Sequence, residues 1–416
     1  MLLMRSIRPG YVPILASAMA VMFVRTLLAA KFLDVSEFAL FGVGILVSNS
    51  FCMLGCFGFY LMLQRDLPML IAKGRCVRGG LLLHQTLMLT VVGFLGLLPL
   101  SFFGLFSVSP AFFAISLLNG FAQQAFLVVT LQSRSEGRSM RFAVDNLVRS
   151  VAVLAAIAFI GWNSGTAASM LLAESLVTLA MAAWIYGAMG RQGAIGRKVL
   201  WIVAARGFSS ARWWSSLALM ATGIFGFVML SGDRWIAAAL LDRDDFALYA
   251  FAGVVLIVAQ SLQSVINVSV FPGLAKTYAL FGCASAARAA LRYSLIGLIV
   301  AFCLAVPVSF MINHAIELFY PAYAPTREFL VLFLLIASLR VSDFLSSFLI
   351  IAGRERLLLG VNMVSVGVGG VLWLGYFGLD VANMRPLSIA WFAALVAAFN
   401  YAGCLLVTVH SWKAVR

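Results

Sequence analysis

The chain has 416 residues, 63% of them hydrophobic and only 11% charged, where a water-soluble domain carries about a quarter charged residues. Lys and Arg outnumber Asp and Glu by 29 to 15, for a net charge of +14, and mean hydropathy is +1.04. This balance excludes a soluble globular protein, and apolar runs of roughly 20 residues recurring throughout identify an all-α polytopic membrane protein.

About twelve spans are predicted, bounded by charges, Gly or Pro. The first six cover 11–33, 38–63, 80–105, 109–131, 143–161 and 166–189. Met1–Gly10, with Arg5 and Arg8, precedes the first. That span is too apolar and too long for a signal peptide, and no clear small-residue cleavage site follows it, so a retained helix is expected. The stretch "RQGAIGRKVLWIVAARGFSSAR" (Arg191–Arg212) comes next, and its "KVLWIVAA" core between arginines suits an interfacial cytoplasmic helix. The remaining spans cover 213–234, 246–271, 290–313, 328–352, 357–378 and 387–410. The expected organisation is an N-terminal six-helix lobe over 1–190, a cytoplasmic linker over 191–212 and a C-terminal six-helix lobe over 213–416.

Most of the 29 basic residues fall in loops on one side, among them Arg65, Lys73, Arg134, Arg138, Arg206, Lys276 and Arg354. Asp34, Glu37, Asp242, Asp244, Asp245 and Asp380 fall on the other. By the positive-inside rule both termini are cytoplasmic. The positive charge thus follows from topology and contact with anionic membrane lipid, and no nucleic-acid partner is implied.

The halves echo one another. Glu37-Phe-Ala-Leu-Phe-Gly42 and Asp245-Phe-Ala-Leu-Tyr-Ala250 lie 208 residues apart, each in the outer loop after the first span of its half. Arg25 precedes Glu37 by twelve residues and Arg234 precedes Asp245 by eleven. The second span of each half ends at a proline, Pro68 or Pro272. "GRSMRFAVDNLV" (Gly137–Val148) matches "GRERLLLGVNMV" (Gly353–Val364) at Gly, Arg, Asn and Val, at an offset of 216. In this order and at these places the matches indicate an internal duplication. Six spans per copy leave the copies in one orientation, related by an axis along the membrane normal.

Enzyme chemistry finds little support. No Gly-Lys dipeptide exists, so there is no Walker phosphate loop. His84, His314 and His410 stand apart, without metal-ligand spacing, and no cofactor is implied. Cys52 and Cys56 share a helix face but read as buried apolar thiols. "GCFG" and "GVGG" read as packing stretches.

Ionisable residues within spans are the candidate site, because such groups usually face a bundle interior or a wet cavity. They are Arg25 in the first span, Asp145 and Arg149 in the fifth, Glu174 in the sixth, and Arg340 and Asp343 in the tenth, with Asp233 and Arg234 at the end of the seventh. Asp145 with Arg149 and Arg340 with Asp343 are spaced to share a helix face as ion pairs. Arg25, Arg149, Glu174, Arg340 and Asp343 are the candidate substrate-pathway residues, and Asp145 and Glu174 the candidate coupling acids. Gln123, Gln124, Gln260, Gln263 and Asn267 suit interhelical hydrogen bonds.

Three stretches carry a family resemblance: "RTLLAAKFLDVSEFALFGVG" (Arg25–Gly44), "GDRWIAAALLDRDDFALYAFAG" (Gly232–Gly253) and "FPGLAK" (Phe271–Lys276), with the "GR…N" step in both halves. The chain resembles the polysaccharide-transporter branch of the multidrug/oligosaccharidyl-lipid/polysaccharide exporter (MOP) superfamily, the Wzx-like O-antigen and exopolysaccharide flippases. The resemblance implies a MATE-like V of two six-helix lobes around a central cavity, in a bacterial inner membrane. It implies no catalytic residues, and alternating-access export of a polyprenyl-diphosphate-linked oligosaccharide, with a polysaccharide polymerase and a chain-length regulator as further partners. Arg25, Arg149 and Arg340 are the positions that would make such a cavity cationic. A cation-coupled multidrug exporter of the same fold, using Asp145 and Glu174, and a membrane glycan polymerase or ligase stand as alternatives.

Overall fold

The computed structural model describes residues 10–103, 108–163, 165–189, 197–207, 213–377 and 385–413. Arg5, Arg8, Arg191, Arg212 and Asp380 lie outside them. The described residues are helical almost throughout, without strands. Twelve helical segments among them are long and apolar enough to cross a membrane, as the hydropathy of the chain predicts. Helices alone satisfy every backbone polar group within a single segment, which is why so apolar a chain takes this form.

The chain divides into two compact units, Met1–Phe227 and Val228–Arg416. The first contains α1 (Tyr11–Phe32), α2 (Val35–Leu54), α3 (Phe59–Ala72), α4 (Cys76–Leu97), α5 (Pro110–Ser135), α6 (Ser139–Asn163), α7 (Ala167–Met189) and the short α8 (Arg197–Arg206). A 3-10 turn, Leu98–Phe103, extends α4. Within this unit α1 packs on α6, and α5 is central, touching α2, α4, α6 and α7. The division between the units falls within α9 (Trp213–Leu240). The second unit continues with α10 (Arg243–Ala252), α11 (Val254–Phe319), α12 (Arg327–Val341), α13 (Leu345–Ile351), α14 (Glu355–Phe377) and α15 (Pro386–Lys413). There α11 packs against α12, α13 and α15, and α14 against α15. The 66 residues of α11 form two helices, interrupted at Gly282, whose φ of 77° and ψ of 179° are non-helical. The outward residues of α11, including Leu295, Ile299, Leu304 and Phe310, are exposed apolar groups suited to lipid.

Three predicted spans are broken. The second, expected to be continuous over 38–63, ends as α2 at Leu54 and resumes as α3 at Phe59, through a turn with φ of 50° at Phe57 and 79° at Gly58. Cys56 therefore sits in the turn and does not share a helix with Cys52. The eighth is interrupted at Gly253, between α10 and α11, and the tenth at Ser342–Phe344, between α12 and α13. Hydropathy windows miss such breaks because they average over about 19 residues, several times the length of each break.

Local geometry matches at the echoed positions. Asp34 caps α2 by accepting the Glu37 N–H at 3.0 Å, and Asp242 caps α10 by accepting the Asp245 N–H at 2.8 Å. Gly74 and Gly282, 208 residues apart, both have positive φ, as do Gly137 and Gly353, 216 apart. The echoed acid also has a purpose in the fold. Glu37 Oε2 accepts the Ala167 N–H at 2.7 Å, closing the first turn of α7 across 130 residues of sequence. Asp245 lies within Coulombic range of Arg385, beside the start of α15.

Helix α8 is the predicted segment between the halves, seen here as a helix packed on α4. Trp201 Nε1 donates to the Tyr186 hydroxyl at 2.7 Å, and that hydroxyl lies 3.0 Å from His84 Nε2. His84 Nδ1 is 2.7 Å from the Gly80 carbonyl. The histidine that stood apart in the sequence is thus a docking point for α8.

Candidate functional site

Three of the deep charges meet inside the first unit. Arg25 lies on α1, and its Nη1 stands 2.6 Å from each carboxylate oxygen of Glu174 on α7. The two side chains are 8% and 0% exposed. Arg149, on α6, brings Nη2 to 3.9 Å from Glu174 Oε1 and donates Nε–H to the Thr178 hydroxyl at 3.2 Å, one turn along α7. From α5, Gln123 donates to Asn119 Oδ1 at 2.7 Å and reaches Glu174 Oε1 at 3.5 Å. Aromatic faces complete the enclosure, with the Arg25 guanidinium 5.7 Å from the Phe41 ring centre and that of Arg149 4.9 Å from Phe126. Both are cation–π contacts, which gain strength away from water.

Four helices thus converge on one carboxylate. Removing an ion from water costs several kcal/mol, and here the two guanidiniums and the amide offset that cost for Glu174. Two cations on one anion leave a net positive excess. The guanidiniums are also incompletely used, since Arg25 Nε is buried with no hydrogen-bond partner among the described residues.

The two sequence-spaced pairs do not form. Asp145 pairs with Arg141, at 3.9 Å, and Arg149 turns away from it towards α7. Arg340 donates to the carbonyls of Met229 at 3.3 Å and Leu230 at 3.5 Å on α9. Asp343 accepts hydrogen bonds from the N–H and the hydroxyl of Ser346, at the start of α13. The physical reason differs between the two cases. Arg149 finds a fully buried carboxylate across the helix interface, a stronger partner than the partly exposed Asp145 on its own helix. Helix α12 stops at Val341, so the i,i+3 relation between Arg340 and Asp343 is lost at the break.

A second cluster lies in the second unit around Asp233, which is 4% exposed. Tyr249, in the echoed stretch on α10, donates its hydroxyl hydrogen to Asp233 Oδ2 at 2.8 Å. Arg234 Nη2 donates to the Gly253 carbonyl at 3.3 Å, and Arg340 lies within Coulombic range of both Asp233 and Arg234. Two arginines again outnumber one acid, but that acid now adjoins its arginine in sequence.

Sequence reasoning missed Thr178, Asn119, Phe126 and Tyr249. Thr178 was available as the i+4 neighbour of Glu174, and Tyr249 as part of the echo. Asn119 and Gln123 are themselves an i,i+4 pair on one face of α5.

No family model and no curated protein sequence matches this chain. Solved structures do. An inward-facing multidrug resistance MATE family transporter of the MOP superfamily matches with a TM-score of 0.60 at 12% identity, over 97% of this chain and 100% of that one. The eukaryotic MATE transporter AtDTX14 matches at 0.59 and 11% identity, over 98% and 97%. The lipid II flippase MurJ, in an inward closed conformation, matches at 0.58 and 12% identity, over 96% and 88%. The fold is therefore the MATE-like, all-helical membrane fold.

Proposed function

We propose that the chain is a flippase of the bacterial inner membrane, with both termini cytoplasmic. It would carry a polyprenyl-diphosphate-linked oligosaccharide repeat unit across by alternating access, handing it to a polysaccharide polymerase and chain-length regulator. The observation that carries this reading is the excess of guanidinium over carboxylate at Arg25, Arg149 and Glu174. A diphosphate is a multiply charged anion, and arginine forks held away from water bind such groups in bidentate fashion. Arg25 is committed to Glu174, whereas Arg149 holds it only at 3.9 Å. Arg149 is thus the guanidinium that can turn from Glu174 to a headgroup, and Glu174 keeps it partnered between turnovers. The polyprenyl tail stays in lipid. Arg340 and Asp343 are not a unit in this reading, and Arg340 ties α12 to α9.

The MATE-like fold supports a cation-coupled multidrug exporter equally well. Against that reading, Glu174 is neutralised by two arginines and so poorly suited to exchange protons or metal cations. A glycan polymerase or ligase gains nothing from the transporters that share the fold. A deletion strain separates the readings: lipid-linked repeat unit should accumulate on the cytoplasmic face and one surface glycan should vanish. Arg149→Gln, at equal expression, should lower export about tenfold, the scale of one charge-assisted hydrogen bond. Intact surface glycans together with sensitivity to cationic dyes would replace the flippase with the drug exporter.

A further inference from the structure

We infer that the echoed turns at Gly74 and Gly282 are two binding sites for anionic phospholipid, one on each unit, and that the turns at Gly137 and Gly353 are not. All four glycines have positive φ and fall on the side read as cytoplasmic. Three of the turns are built alike. Helix α3 ends where Gly74 donates its N–H to the Ile71 carbonyl at 3.0 Å and Arg75 donates to that of Leu70 at 2.8 Å. Arg138 and Arg354 close the turns at Gly137 and Gly353 in the same way, donating to the carbonyls of Ser133 and Leu349 at 2.9 Å. A left-handed glycine stops one helix, and an arginine leads into the next. In the fourth turn Gly282 interrupts α11, with Lys276 and Arg288 six residues to either side.

Charge balance separates the two pairs of turns. Lys73, Arg75 and Arg78 are exposed around Gly74, and Lys276, Arg288 and Arg292 around Gly282. The chain holds no Asp or Glu from 67 to 135 or from 246 to 316, and Asp66 pairs with Arg65 at 2.7 Å. Each of these turns is a group of three cations without a local acid. At Gly137, by contrast, Arg138 is 3.3 Å from Glu136 and Arg141 is 3.9 Å from Asp145. At Gly353, Glu355 stands between Arg354 and Arg356. Exposed apolar side chains occur at all four turns, Met140 and Leu357 among them, so the unopposed charge sets the two apart. Around Gly74 these side chains are Met69 and Val77, and at the break in α11 they are Leu280 and Phe281, the last 70% exposed. Acyl chains account for exposed apolar groups within the spans, but these four side chains lie beyond the predicted spans, where headgroups begin. Apolar side chains set among cations match a molecule with an anionic head and an acyl tail, and phosphatidylglycerol is the simplest such lipid.

The leaflet that supplies the lipid follows from the topology, which thiol labelling at Ser139→Cys tests separately. Binding itself is tested by titrating purified full-length protein in detergent with phosphatidylglycerol and counting bound lipids by native mass spectrometry. Two should bind, each about tenfold more tightly than phosphatidylethanolamine, which has no net charge. Lys73→Gln/Arg75→Gln/Arg78→Gln should lose one, and Lys276→Gln/Arg288→Gln/Arg292→Gln the other. Arg134→Gln/Arg138→Gln/Arg141→Gln removes the same charge and should keep both. Leu280→Ser/Phe281→Ser, with every cation in place, should weaken the second site about tenfold. Excess inorganic phosphate should displace neither lipid. Equal losses in all three triple variants would show that binding follows net charge, and overturn the inference. Displacement by phosphate, or undiminished binding in Leu280→Ser/Phe281→Ser, would do the same by reducing the turns to simple anion sites. Lipid binding as strong in the first two triple variants as in the parent also overturns it, and leaves an acidic protein as the partner for these turns. No substrate enters the assay, so failure of the flippase reading would leave its result standing.

Discussion

Glu174 is held by two guanidiniums in a site that admits almost no water, so the cost of a substitution depends on the charge left behind. Glu174→Gln would leave Arg25 and Arg149 facing each other without an anion. Breaking a buried pair from one side costs about 3–5 kcal/mol. The double variant Arg25→Gln/Glu174→Gln removes one charge of each sign and should recover much of that loss. Thermal unfolding in detergent checks the order, and a double variant no more stable than Glu174→Gln would show that the pair contributes little beyond packing. Arg25→Glu places two carboxylates together in the same enclosure. Its main effect should therefore be loss of folded protein, with export lost as a consequence.

At the scale of elements, the breaks within spans decide where polar groups go. The turn between α2 and α3 places Cys56 Sγ 3.2 Å from Gln124 Nε2 and 3.3 Å from the Tyr60 N–H. Trp213 meets Phe59 edge-on at 5.1 Å and Phe57 at 6.4 Å. The turn depends on Gly58, where a Cβ would meet the positive φ and would also stand 2.0 Å from the Ser216 carbonyl. Gly74 has similar φ but open space around it. Gly74→Ala should therefore cost only the left-handed penalty, about 1–2 kcal/mol. Gly58→Ala should cost more, because the backbone of α9 must also move. Equal losses for the two in thermal unfolding would show that the contact with Ser216 yields freely. Glu37→Ala should cost about 1 kcal/mol through the uncapped start of α7.

At the scale of the whole molecule, the charge asymmetry of the loops makes a topological prediction. In a cysteine-free protein, a thiol introduced by Ser36→Cys should react with an impermeant reagent added outside intact cells, and one introduced by Ser139→Cys should react only after the membrane is opened. Labelling of Ser139→Cys from outside would reverse the orientation and displace the span count. The duplication bears on the same question. Paired caps at Asp34 and Asp242 and paired positive-φ turns at Gly74 and Gly282 place the same local devices at the same steps of each half.

The membrane class and the number of apolar segments were legible in the residues alone, as was the echo between the halves. Each is a property of local composition or of fixed spacing along the chain: an apolar run has to be helical in lipid, and an N-cap acts within three residues. The roll of deep charges was legible for the same reason, since a charge in an apolar run is conspicuous wherever it points. Which charges meet was decided only by tertiary structure. Arg25 and Glu174 are 149 residues apart in sequence, and no spacing rule connects them. The pairs that spacing did suggest, Asp145 with Arg149 and Arg340 with Asp343, gave way to partners on other helices, Glu174 on α7 for Arg149 and backbone carbonyls of α9 for Arg340. The helix break at Asp343 then removed the geometry that an uninterrupted span would have supplied. Helix packing brings together what the chain keeps apart, and it separated a carboxylate from the arginine three residues before it.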